Sequence, residues 1–193
     1  MVVPDSPAAE AGPPAAEAGP PAAEAGPPAA EAGSPAYARS PESVWDYPRP
    51  PAVREVTERI EVWFAGERIA HCDTAIQVLE TSHPPTYYLP RDAFSPGVLE
   101  PVDGSTWCEF KGRAAYFDVV VGDRRAQRAA WHYPEPVAGY AALVDHVAVM
   151  PGVMDRCTVD GEVVVPQEGG FYGGWITSRV TGPFKGAPGT RGW

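Results

Sequence analysis

Between Pro7 and Ser34 the chain repeats Pro-Ala-Ala-Glu-Ala-Gly-Pro/Ser four times, and no other stretch restricts its folding so severely. A period of seven invites a helical reading. Each copy, however, is bounded by Gly-Pro or Gly-Ser-Pro, and the short run between breakers cannot offset helix nucleation without an apolar stripe to bury. The repeats are predicted to be disordered and partly polyproline-like. As a solvated spacer they would extend on the order of 90 Å at roughly 3.1 Å per residue, with a specific docking repeat as the alternative. The expected organisation is a repeat tail over residues 1–43 and a single β-rich domain over 44–193. Within that domain the core runs over 53–165 and a glycine and aromatic clasp over 169–193.

Charge limits the partners. The 193 residues carry a formal net charge of -10, and residues 1–33 contribute five acids (Asp5, Glu10, Glu17, Glu24, Glu31) and no base. Neither part is basic, so neither a nucleic acid nor an anionic membrane is an expected partner. The cysteines Cys72, Cys108 and Cys157 are odd in number, far apart and without a C-x-x-C pair. That pattern suggests neither a disulfide framework nor a structural zinc site. Met1-Val2-Val3-Pro4-Asp5 lacks a basic n-region, and no segment reaches the apolar length of a membrane span. The expectation is a soluble, cytoplasmic protein, with oligomeric state and cofactor left open.

Beyond the repeats, Val44-Trp45-Asp46-Tyr47-Pro48-Arg49-Pro50-Pro51 is an extended arm with two large rings, expected to lie along the folded body; the alternative is a ligand for a proline-recognition domain. From Glu58 the pattern alternates: Ile60, Val62 and Phe64 predict a strand, Gly66 a turn, and Arg68 to Cys72 the returning strand. Further strands are expected at 76–80, 86–89, 106–110, 113–121, 127–133, 147–150, 153–159 and 162–165. A turn is read at Asp103-Gly104-Ser105, a single helical turn at 91–94, a short helix at 137–145, and a hairpin at Asp160-Gly161. The class is mainly β and antiparallel.

These residues carry a resemblance. Leu79-Glu80-Thr81 with Pro85-Thr86-Tyr87-Tyr88-Leu89-Pro90, Thr106-Trp107-Cys108 with Lys111-Gly112, Ala130-Trp131-His132-Tyr133-Pro134-Glu135-Pro136 and Val159-Asp160-Gly161-Glu162 resemble the family called domain of unknown function 427, also labelled nucleotidyltransferase-like. The resemblance runs from about Val53 to Val165. The flanking Trp45–Pro51 and Phe171-Tyr172-Gly173-Gly174-Trp175 blocks look like those of longer bacterial members. It implies a compact β fold, similar to a β-tent in which two antiparallel sheets meet at one edge.

The chemistry of nucleotidyl transfer asks for metal-bridged phosphates held by paired carboxylates or a glycine-rich cradle. The chain has no Asp-x-Asp, no P-loop and no G-x-G-x-x-G, so that label rests on analogy. His71-Cys72-Asp73 is a poor metal set because adjacent strand residues face opposite ways. The same alternation puts Thr106, Cys108 and Phe110 on one face and Trp107, Glu109 and Lys111 on the other, which argues against Cys108 as a nucleophile paired with Lys111.

Lys111, at a turn beside Gly112, either directs its ammonium at an anionic ligand or is solvated or salt-bridged. Glu80 is expected to need a cation such as Arg91 or Lys111. His146 is read as a backbone-capping or binding histidine. Tyr88, Trp107, Trp131 and Tyr133, with Tyr87, either wall a pocket or fill the core. The candidate binding set is therefore Lys111, Arg91, Glu80, Tyr88, Trp107, Trp131, Tyr133 and His146, for a small anionic or planar metabolite. An enzyme of the nucleotidyltransferase kind and an interaction module using the Pro-rich arm or the C-terminal segment are the alternatives.

Overall fold

The computed structural model describes residues 40–190 together with 192 and 193; the repeat tail lies outside the described residues. Among the described residues there are thirteen strands: β1 (Glu42–Ser43), β2 (Ala52–Phe64), β3 (Glu67–Leu79), β4 (Thr86–Pro90), β5 (Leu99–Cys108), β6 (Gly112–Val121), β7 (Arg124–His132), β8 (His146–Val149), β9 (Arg156–Val159), β10 (Glu162–Val163), β11 (Val165–Pro166), β12 (Trp175–Ile176) and β13 (Val180–Thr181). Nine form one antiparallel sheet in the order β10-β9-β2-β3-β4-β8-β7-β6-β5, and two further pairs, β1 with β13 and β11 with β12, make small ribbons. Among the described residues, helical structure is confined to 3-10 segments, among them Arg91–Ala93 and Ala138–Leu143. Among the described residues no helix is long and apolar enough to cross a membrane.

Alternation along the strands sorts side chains to two faces. Tyr87, Leu89, Val147 and Val149 enter one buried cluster, with Ile60 and Val62 of β2 and Phe117 and Val119 of β6. Tyr88 and Ala148 enter a second, with Ile76, Val78, Ala114, Tyr133, Tyr140 and Leu143. Strands β4 and β8 are buried on both faces, which is why Tyr-Tyr-Leu and Val-Ala-Val read as apolar runs. The sheet curls as it crosses from edge to edge: the Arg124 guanidinium at the start of β7 lies 5.5 Å over the ring of Phe64, which ends β2, four strands away in the sheet. The antiparallel β class expected from the sequence is the fold observed.

Two readings of local structure change. Asp103-Gly104-Ser105 is no turn: β5 continues through it with a register shift between Val102 and Ser105, a bulge that absorbs the extra residues without ending the pairing. The predicted strand at 76–80 is the end of one long strand beginning at Glu67.

The arm does lie along the body. Val44 and Tyr47 are buried with Leu79, and Val180 and Phe184 pack on them. Beneath it a polar chain joins both ends of the domain. Glu58 accepts from Arg179 at 2.6 Å and from the Tyr87 hydroxyl at 2.8 Å. Tyr87 accepts in turn from Gln77 at 2.6 Å, Gln77 accepts from Arg54 at 2.9 Å, and Arg54 pairs with Glu42 at 2.8 Å. Arg179 also reaches Asp160 at 2.5 Å.

Candidate functional site

The β5–β6 hairpin sets the site. Cys108 pairs with Gly112 across it, leaving Glu109-Phe110-Lys111 as the connection, and Gly112 takes φ 97, a backbone geometry that glycine adopts without strain. The Val137 amide donates to the Lys111 carbonyl at 3.0 Å, which pins the 3-10 segment to the hairpin tip. Lys111 is thereby folded inward and is only 8% exposed. Its Nζ stands 5.9 Å from the Tyr133 ring centroid and 6.0 Å from that of Tyr140.

Among the described residues, the ion pairs involve Arg49, Arg54, Arg68, Arg125 and Arg179 as cations and leave Lys111 without a carboxylate. Burial pushes the Tyr133 phenol far above its usual range and raises that of Tyr140, so both stay neutral and neither balances the ammonium. Cation–ring attraction of about 0.5–2 kcal/mol is the contact the described residues give this ammonium, and an anion in the cleft would be its first full counter-charge.

Lys111 opens on a cleft of ≈ 870 Å³. Tyr88, Ala114, Trp131 and Tyr133 line it from the second face of the sheet, residues 106–111 form one wall, and residues 170–173 form another. Trp131 Nε1 donates to the Tyr88 hydroxyl at 3.1 Å, and the Tyr133 ring packs on Tyr88 with centroids 6.3 Å apart. At the rim two rings are left in solvent, Trp107 at 74% and Phe171 at 80% exposure. Exposed rings at the mouth of a cleft with buried rings in its floor suit a flat ligand.

The lining also carries Arg49, Arg128 and Lys185 as cations, against the carboxylates of Glu80 and Glu109. The cleft is thus positive within a chain of net charge -10. Arg49 is taken by Glu80 at 2.6 Å. Arg128 lies 4.0 Å over the Tyr116 ring and donates to the Asp103 carbonyl at 3.0 Å. Lys185 donates to the Trp193 carbonyl oxygen at 2.7 Å.

Six of the eight predicted residues, Lys111, Glu80, Tyr88, Trp107, Trp131 and Tyr133, line this cleft together. Arg91 and His146 do not. Arg91 follows β4, and its guanidinium lies 5.1 Å over Phe117, a ring of the opposite face. His146 turns Nδ1 to the Val144 carbonyl at 2.9 Å. Glu80 finds its cation in Arg49 of the arm rather than in Arg91 or Lys111, because the arm packs across the end of β3. Cys108 and Lys111 both line the cleft, against the alternation argument, since residues 109–111 form the hairpin connection and do not follow strand geometry.

Sequence reasoning passed over His83, Gln167, Tyr172 and Lys185, all of the same cleft, and Tyr140 behind Lys111. One signal was available. In Phe171-Tyr172-Gly173-Gly174-Trp175 a glycine pair sits among rings, and the structure shows why: a Cβ on Gly173 would strike the Trp131 ring, and one on Gly174 would strike the Gln167 side chain and Pro84.

Fold and site together define a mainly β protein whose curled antiparallel sheet carries an open aromatic cleft around one buried lysine. The chain belongs to the family described as Domain of unknown function (DUF427), whose model matches residues 52–160. A comparison with curated proteins finds no match. The matched span includes the lysine hairpin and the cleft floor, while the wall at 170–173 lies beyond it.

Proposed function

We propose that the protein binds a small planar anion, with the charge at Lys111 and the flat part between Trp107, Trp131 and Tyr88. The observation that carries this reading is Lys111, a largely buried residue whose ammonium stands at the cleft beside Tyr133 and Tyr140 with no carboxylate partner among the described residues. The positive lining and the exposed rim rings speak for the same ligand class. A ligand at a hundred times its Kd stabilises the folded state by about 2.7 kcal/mol, which in a domain of this size raises Tm by about 5–10 °C. Thermal-shift screening of aromatic carboxylates, nucleotides and common metabolites should find such a ligand, and it should quench tryptophan fluorescence. A Lys111→Ala variant that binds it equally well would remove the charge role.

Nucleotidyl transfer is the reading that the family label suggests. Among the described residues no group of three or more His, Cys, Asp or Glu side chains is placed to hold a metal, and Glu80 is already paired with Arg49. Metal-dependent turnover of a nucleotide by the pure protein would displace the binding-only reading. For an interaction module, the arm buries Val44 and Tyr47 in its own domain and leaves Trp45, Pro48, Arg49 and Pro50 exposed.

A further inference from the structure

A second donor in the cleft follows from the hydrogen bonds of Gln167, a residue only 6% exposed. Its Oε1 accepts from the Gly174 amide at 3.2 Å, and its Nε2 donates to the Lys185 carbonyl at 2.7 Å. A backbone N–H only donates and a carbonyl only accepts, so these two bonds fix which end of the amide is oxygen and which is nitrogen. The same Nε2 lies 3.0 Å from Nδ1 of His83. An amide NH2 has two hydrogens and no acceptor to offer, and its second hydrogen therefore points at Nδ1. That nitrogen must be the acceptor, and the ring proton sits on Nε2.

An imidazolium would aim an N–H at an NH2, so the arrangement keeps the ring neutral. Burial holds the His83 pKa below its usual value; the nearby cations Lys185, Arg49 and Lys111 act in the same sense, against Glu80. The ring edge packs on Tyr172 with centroids 4.9 Å apart. Among the described residues nothing accepts from Nε2, although the ring lines the cleft.

We propose that His83, set in its Nε2–H tautomer by Gln167, is a ligand-contacting residue that donates to the anionic group whose charge Lys111 balances, and that this group is a carboxylate on a planar ring. The inference rests on the binding reading above. One free ammonium and one neutral N–H match the two oxygens of a monoanion. A phosphate dianion would call for a second cation turned to it, whereas Arg49 is paired with Glu80, and Arg128 and Lys185, though without a carboxylate among the described residues, direct donors to the Asp103 and Trp193 carbonyls. Gln167 is the positioning residue, and Gly174 is what lets its side chain approach so closely.

The test has two independent arms on the full chain. Nitrogen NMR of the imidazole rings should show His83 as the Nε2–H tautomer near neutral pH, and Gln167→Leu should lose that preference; an Nδ1–H or mixed signal in the parent protein overturns the assignment whether or not anything binds. Ligand-observed NMR with naphthoate, naphthyl phosphate and uncharged naphthamide reads the cleft. Naphthoate should bind best, Lys111→Met should weaken it at least about tenfold, and His83→Phe, which keeps a ring against Tyr172, should weaken it about tenfold. Loss with Lys111→Met and none with His83→Phe overturns the role of His83 and leaves the cleft reading intact. Preference for naphthyl phosphate overturns the carboxylate assignment. Absence of binding by all three probes removes the planar-anion reading and the inference with it, while the tautomer result stands separately.

Discussion

Two polar clusters, both buried beside tyrosines of β4, are built to opposite rules. Under the arm, Glu58, Tyr87, Gln77, Arg54, Glu42 and Arg179 hand hydrogen bonds from one to the next. On the other face, below Tyr88, Lys111 has only ring faces around it, and His83 spends one nitrogen on Gln167 and keeps the other free. Tyr87 and Tyr88 are neighbours whose side chains point to opposite faces, so one strand feeds both clusters. A saturated network fixes segments in place; donors turned to a cleft and left without protein acceptors are open to a ligand that accepts from them. The contrast separates the part that holds the termini from the part that awaits a ligand.

The largest break of that contrast is Glu58→Ala. It leaves the Tyr87 hydroxyl without its acceptor and takes away one of the two carboxylates that hold Arg179, which keeps Asp160, and should cost about 1–3 kcal/mol in denaturant unfolding. A loss below about 1 kcal/mol would mean that water replaces the carboxylate and that the clasp is not a structural network. The matching change in the cleft is Lys111→Met, which keeps the stem volume and removes a charge without a partner. Stability should be unchanged or rise by about 1–2 kcal/mol, while anion binding falls. If Lys111→Met instead destabilises as strongly as Glu58→Ala, the lysine belongs to the core and the contrast fails.

How much of this was legible in the sequence differs between the two regions for a physical reason. Alternation and turn residues report local geometry, and they located the β2–β3 and β9–β10 hairpins and the lysine hairpin because each is closed by neighbours in the chain. The cleft floor was legible for the same cause: Tyr88, Trp131 and Tyr133 are strand residues, and Lys111 stands at a turn. The clasp was not, since Glu58 and Arg179 are 121 residues apart, and only the long-range path of the chain brings them together. The Gln167–His83 pair, 84 residues apart, was hidden likewise. Arg91 and His146 were misplaced relative to the cleft because each begins just past a strand or at its first residue, where alternation no longer says which face a long side chain will take.

A smaller effect comes from pH. Burial holds both His83 and His132 below the usual histidine value of 6.5, with Arg91 acting in the same sense on His132. The unfolded chain then takes up protons first as pH falls below about 6.5. Folding stability should therefore decline on acidification from that point, by at most about 1.4 kcal/mol per pH unit for each ring, and level off once pH passes below the folded-state values. His83→Phe should remove its share of the slope and leave that of His132. A flat stability profile between about pH 7 and 5.5 would show that the two rings are as wet in the fold as out of it, and would take away the dry wall on which His83 depends.

The smallest perturbation is thiol labelling, which probes the same contrast without disturbing the fold. Burial pushes the Cys72 thiol up to about 11 and that of Cys157 up to about 12, and both lie in the main core cluster. Cys108 is half-buried and lines the cleft. Because only a thiolate that reagent can reach reacts at a useful rate, the native protein should be modified quickly at Cys108 alone, with Cys72 and Cys157 following at the rate of opening or unfolding. Peptide mapping assigns the site. A planar anion bound against Trp107 and Lys111 would cover the wall that carries Cys108 and slow that single reaction in proportion to occupancy. Equal labelling of all three cysteines would mean the core opens as readily as the cleft, and the division between a closed structural half and an open binding half would not hold.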